Sequence, residues 1–207
     1  MVEYLKDPAA IYAKSFATVR AEAALDRFPE DVAEVVVRLI HACGIPRIAD
    51  DIAYTAGAVS AGRGALKSGA PIFVDANMVA AGIIRRHLSN NEIICTLDDE
   101  GVADDAQHDR TTRSAAAVAR WLPRLDGAVV VIGNAPTALF RLLEMIEDGA
   151  PKPAVVLGFP VGFVGAAESK DALAANALGI EFITLKGRVG GSAIASAAVN
   201  ALAGGLS

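Results

Sequence analysis

The chain has three histidines, and one of them, His41, closes the apolar run RLIHACG from Arg38 to Gly44. Imidazole is the side chain whose ordinary pKa permits proton exchange near neutrality. Projected as a helix, Val32, Val35, Val36, Leu39 and Cys43 form one apolar stripe, while Glu34, Arg38 and His41 fall on the opposite side. His41 therefore points away from the core stripe of its own helix. Two readings follow. The ring is a solvated group that interacts favourably with a helix C-terminus, or it faces a cleft or a subunit boundary, where the helix end favours the protonated form that a general acid requires. Cys43, on the apolar stripe, reads as packing and not as a nucleophile.

Three further residues have types that fit poorly with a purely structural role. Ser15 projects between Ile11 and Val19 on the apolar side of the first helix. It is either a small tolerated core residue or a hydroxyl aimed at a ligand. Arg113, in DRTTRSAAA, falls in the first turn of a helix, where the dipole disfavours a cation. A bound anion or an ion pair with Asp104, Asp105 or Asp109 would offset that. Arg188, in LKGRVGGS, is flanked by glycines that allow a ligand to approach the backbone closely.

Familiar cofactor motifs fail in detail. In SAGRGALKSG, Gly62 and Gly64 begin a GxGxxG pattern, but Lys67 stands at the third glycine. The pair Lys67-Ser68 suggests a phosphate loop, yet Leu66 occupies the place of the preceding glycine. His41 and Cys43 diverge on a helix, and neither His87 nor His108 has a second ligand beside it, so no metal site is expected.

The elements that must position these residues follow from periodicity and caps. Asp7-Pro8 starts a helix expected to run to about Leu25, and Phe28-Pro29-Glu30-Asp31 starts a second, ended by Gly44. After this helical pair come five short apolar runs, PIFVD, EIICTL, GAVVVIG, PAVVLGF and EFITL, each followed by a helical segment, the second through the acidic loop DDEGVADDAQHD. This alternation predicts an α/β fold with a mainly parallel sheet of about five strands and helices on both faces. Ligands in such sheets gather at the carboxyl ends of the strands. The loops selected are 74–77, 96–113, 133–137, 158–169 and 186–192.

Composition narrows the partners. A length of 207 residues suits one domain, read here as 1–207. The net charge of -5, with no basic run, argues against nucleic acid. The longest apolar runs are too interrupted by Gly and Pro to span a bilayer as helices. The N-terminal stretch has no secretory pattern, and two cysteines make no disulfide framework, so a cytoplasmic protein is expected.

Six segments, IYAKSFATVRAE, RLIHACG, FVDANMVAAGI, GNAPTALFRL, GFPVGFVGAAESK and GRVGGSAIASAAVNAL, together resemble the precorrin-8X methylmutase family, in the family's order from Ile11 to Leu202. The resemblance implies a methyl migration from C-11 to C-12 of a corrin precursor, precorrin-8X, giving hydrogenobyrinate without a separate cofactor. It implies that His41 is the catalytic residue, as general acid or hydrogen-bond donor, and that Ser15 and Arg113 contact substrate. Asn134, Pro136 and Thr137 carry over as a substrate loop, and Arg188 joins them on its glycine-flanked position. A homodimer is also implied, with His41 able to complete a site at the interface. The alternatives are the cobalt-containing counterpart of the substrate, a corrinoid carrier without catalysis, and a Rossmann-like dinucleotide protein. A flat apolar macrocycle rimmed by carboxylates calls for a broad cleft with scattered Arg and backbone donors.

Overall fold

The computed structural model describes residues 4–204, so the ends of the expected domain, 1–3 and 205–207, lie outside the described residues. Two helices open the fold, α1 (Pro8–Glu22) and α2 (Glu30–Cys43). The Asp7 carboxylate accepts from Ala10 N–H at 2.7 Å and caps α1, with Pro8 in its first turn. The helix stops at Glu22, short of the expected Leu25. The next residues turn so that Phe28 enters the core and the Arg27 guanidinium donates to the carbonyls of Ala49, Asp50 and Ile52. Gly44, with φ +70°, ends α2 as expected.

Six strands form one sheet: β1 (Ile52–Tyr54), β2 (Ile72–Val74), β3 (Ile93–Ile94), β4 (Val129–Ile132), β5 (Val155–Gly158) and β6 (Phe182–Leu185). Their order is β1-β6-β5-β4-β2-β3, with β2 to β6 parallel and β1 antiparallel to β6. The five expected runs are the five parallel strands. The edge strand β1 is the addition, and three residues are too few to show a period.

Alternation within each strand divides the core into two layers. Val129, Val131, Val155, Leu157, Ile183 and Leu185 face α2, α3 (Ala58–Lys67), α4 (Asn77–Gly82) and α9 (Ser192–Gly204). Phe73, Val130, Ile132, Val156 and Phe182 face α6 (Arg113–Ala119), α7 (Pro136–Glu147) and α8 (Ala166–Ala175). Both faces are covered, which is why these strands read as unbroken Val/Ile/Leu runs and not as alternating ones. The stretch SAGRGALKSG lies mostly within α3, so Gly62 and Gly64 are helical and form no phosphate loop.

Two expectations need correction. The helix after β2 is short, ending at Gly82, and only a 3-10 turn at Arg85–His87 continues it. Asn200 of α9 holds this break: its side chain accepts from Ile84 N–H at 2.8 Å and donates to Gly82 O at 3.0 Å. The acidic stretch expected as a loop contains α5 (Val102–His108), whose Val102 and Ala106 pack on Ala116 and Ala117 of α6. Among the described residues, no helix is long and apolar enough to cross a membrane.

Candidate active site

α1 packs against the side of α2 that carries Arg38 and His41, burying Arg38 while His41 stays exposed. Arg38 is 7% exposed, with its guanidinium 5.9 Å from the Phe16 ring centre. The His41 ring sits 5.1 Å edge-on from Phe16 and 5.7 Å from Tyr12. Its Nδ1 is 2.8 Å from Ser15 Oγ, so the serine singled out on α1 and the histidine singled out on α2 are a hydrogen-bonded pair. Cys43 is half-buried against the core, as expected of packing, and burial pushes its thiol pKa up.

Partial burial, reinforced by the positive charge of Arg38, lowers the His41 pKa below its ordinary value. This corrects the expectation that the helix end would favour the protonated ring. Desolvation and a guanidinium one turn away both lower the pKa, so the neutral imidazole is favoured at neutral pH. The Ser15 hydroxyl can donate to Nδ1 of the neutral ring, in which case the ring proton is on Nε2, or accept from Nδ1–H, in which case Nε2 is left as an acceptor.

His41 lines a cavity of about 370 Å³ with Tyr12, Arg38, Met78, Ile84 and Asn200. Ser15 lines a second hollow, of about 710 Å³, with Tyr4, Leu5, Ile11 and Lys14. The hydrogen-bonded pair therefore has one member in each. Tyr4, Leu5, Ile11 and Tyr12 are all exposed, and Met78 is 73% exposed, so the rim of this region is apolar and aromatic.

The remaining expected site residues gather elsewhere, at the carboxyl ends of the parallel strands. β2 and β4 are neighbours there, and from them the chain proceeds outward in opposite directions along the sheet, which marks a topological switch point. The Asp75 carboxylate, at the end of β2 and 3% exposed, fills this crevice. It accepts from three consecutive backbone N–H groups: Gly133 at 2.8 Å, Asn134 at 3.0 Å and Ala135 at 2.7 Å. A nest of amides that could cradle a phosphate is thus satisfied by the protein itself. Desolvation pushes the Asp75 pKa up, while these same three donors oppose the shift.

Asp75 thereby fixes the loop that carries Asn134, Pro136 and Thr137. The Thr137 hydroxyl is 2.7 Å from that of Thr112, the cap of α6. Beside it, Arg113 Nη2 donates to Asp98 Oδ1 at 2.8 Å and to Leu97 O at 3.1 Å. The acidic partner is Asp98 and not one of the three anticipated, of which Asp105 is paired with Arg120 at 2.7 Å. Asn77 donates to the other Asp98 oxygen at 2.7 Å. Arg188 is exposed, with its guanidinium 5.5 Å from the ring centre of Phe163, itself 84% exposed.

The expected set therefore splits. Ser15 joins His41, whereas Arg113, Asn134, Pro136, Thr137 and Arg188 line the strand ends and none lines the His41 cavity. Helix α4 links the two regions, with Asn77 bound at the Asp98 group and Met78 in the cavity wall. Sequence reasoning missed Tyr12, Arg38, Asp75, Asp98 and Asn200. An acid directly after a buried strand, as in FVDA, was the one local signal available for Asp75. Among the described residues, no three His, Cys, Asp or Glu side chains gather as a metal site would require.

Comparison with known proteins places this geometry among relatives. Residues 10–204 match the family model described as "Precorrin-8X methylmutase". The chain is 55% identical to the precorrin-8X methylmutase of Pseudomonas aeruginosa, covering 98% of each. It is 36% identical to the cobalt-precorrin-8 methylmutase of Priestia megaterium, covering 94% of this chain and 87% of the relative. A crystal structure of precorrin-8X methylmutase from Thermus thermophilus superposes with a TM-score of 0.85 at 41% identity, covering 94% of both chains.

Proposed function

Because the chain belongs to the precorrin-8X methylmutase family and is an isomerase of the methylmutase type, we propose that it moves a methyl group from C-11 to C-12 of precorrin-8X, giving hydrogenobyrinate in cobalamin biosynthesis. One carbon–carbon bond to C-11 breaks and one to C-12 forms, so the mass is unchanged. No group is gained or lost by the protein.

The observation that carries the role of His41 is the 2.8 Å contact between its Nδ1 and Ser15 Oγ, beside a cavity whose rim is apolar. The serine fixes the tautomer, and Nε2–H donates to the macrocycle near the migrating methyl. A neutral donor suits a rearrangement in which charge shifts over a conjugated ring and the chief requirements are positioning and modest polarisation. Partial burial, helped by Arg38, favours the neutral ring, and Arg38 adds a cation at the same wall. The two hollows, about 370 and 710 Å³, supply breadth for a flat ligand. Arg113, Arg188 and the loop of Asn134, Pro136 and Thr137 serve its carboxylate rim in this reading.

The metal-free substrate is favoured over its cobalt counterpart by the 55% identity to relatives named for precorrin-8X, against 36% for the cobalt-precorrin-8 relatives of Priestia megaterium and Leptospira interrogans. The same reading places a homodimer in the cytoplasm, acting on neither nucleic acid nor membrane. Incubation with precorrin-8X, followed by absorption spectroscopy and mass analysis, tests it. The expected result is a changed chromophore at constant mass. An unchanged spectrum with substrate still bound would identify a carrier, and the reading would fall.

A further inference from the structure

Lys170 of α8 has no exposed surface. Lysine is rarely buried to this degree, because desolvating an ammonium is costly unless its protons find acceptors. Its Nζ donates to Val189 O at 2.7 Å, and the carboxylates whose charges act on it are Asp51 and its neighbour Asp171. Burial nevertheless brings its pKa down to about 8. A costly group of this kind, reaching from α8 into the loop after β6, needs a reason.

Val189 sits between Arg188 and Gly190 in the segment that leads into α9. That segment is tied at several other points. Gly191 N–H donates to Phe159 O at 2.8 Å, and Gly162 N–H donates to Arg188 O at 3.3 Å. Gly190 lies so close to the backbone that an added Cβ would come within 2.4 Å of Phe159 O and 2.5 Å of Pro160 O. From Ser192 onward, α9 supplies Ala193, Ser196, Ala197 and Asn200 to the wall of the His41 cavity. The position of loop 187–191 thus governs both the Arg188 side chain and the entry of a helix that shapes the cavity.

We propose that Lys170 is a positioning residue: its buried ammonium, bonded to the Val189 carbonyl, anchors loop 187–191 and so presents Arg188 and the start of α9 to the carboxylate-bearing substrate. The inference rests on the methylmutase reading for its substrate, but not for its anchoring role. Contacts made alike by the ground and transition states appear in KM and not in kcat. Loss of the anchor therefore acts on KM.

The test compares Lys170→Met and Lys170→Arg, with Lys170→Gln measured beside them so that a folding failure of the methionine variant still leaves a result. Two readouts are taken: kcat and KM with precorrin-8X, and hydrogen exchange of the Gly191 and Gly162 amides, which bond to Phe159 O and Arg188 O, in the protein alone. Removal of the cation should raise KM on the order of tenfold, leave kcat within about twofold, and speed exchange at those amides. Lys170→Arg should recover most of both. Folded Met or Gln variants with native exchange and native KM would overturn the assignment, as would a loss confined to kcat. If the unaltered protein fails to convert precorrin-8X, the methylmutase reading fails, while the exchange data still decide whether Lys170 anchors the loop.

Discussion

Ser15 Oγ and His41 Nδ1 meet at 2.8 Å across 26 positions of sequence, joining the middle of α1 to the last turn of α2. A serine on an otherwise apolar side is hydrogen-bonded to an imidazole that also lines a cavity.

Ser15→Ala should leave the fold intact and slow conversion. The lost hydrogen bond is worth about 0.5–1.5 kcal/mol, so a roughly two- to thirteenfold fall in kcat/KM is expected. Steady-state kinetics together with an unchanged circular dichroism spectrum would establish it. Activity equal to the parent would remove Ser15 from the mechanism.

His41→Ala should fold normally but lose conversion, since the side chain is exposed and off the core stripe. Retention of near-normal turnover of precorrin-8X would show that the imidazole does no chemistry.

The lowered His41 pKa sets the direction of the pH dependence. If the neutral ring is the working donor, kcat/KM rises as pH increases through that lowered pKa and levels above it. Stability follows the same sense. Between the folded pKa and the higher unfolded one, the unfolded chain binds more protons, so the contribution of His41 to stability increases with pH in that window and is lost as pH falls through it. A rate that declines as pH rises through the window would instead favour the imidazolium as acid.

Asp75→Asn should destabilise the protein and loosen the loop of Asn134 to Thr137. The amide keeps one acceptor oxygen but turns an NH₂ toward backbone donors that formerly met a carboxylate. Hydrogen bonds to charged groups contribute about 1.5–3 kcal/mol each, so a loss of about 2–4 kcal/mol is expected in urea unfolding. An unchanged midpoint would mean that the three N–H groups do not depend on the carboxylate.

Gly190→Ala should cost about 3 kcal/mol or more, because the obstacles are backbone carbonyls of Phe159 and Pro160 and not side chains that can move aside. Thermal unfolding would register the loss. A variant as stable as the parent would imply that loop 187–191 readily shifts, which also bears on the anchoring by Lys170.

The sequence by itself determined the features that repeat over short distances. Five unbroken apolar runs identified the parallel strands, Asp7-Pro8 and Gly44 marked helix ends, and the helical projection turned His41 away from its own core stripe. Such signals arise from backbone geometry and from burial of one face, and they are present wherever the residues lie next to one another in the chain. Only the tertiary structure decided the rest. It packed α1 against the polar side of α2, partly desolvated His41 and buried Arg38 beside it, and so lowered the His41 pKa where a helix end was expected to raise it. It chose Asp98 for Arg113, and it brought Asp75 to amides 58 to 60 positions away. It also divided the expected site residues between the His41 cavity and the strand ends. These outcomes depend on which distant groups arrive within about 3 Å of one another and how much water they exclude, and no local pattern of residue types encodes that.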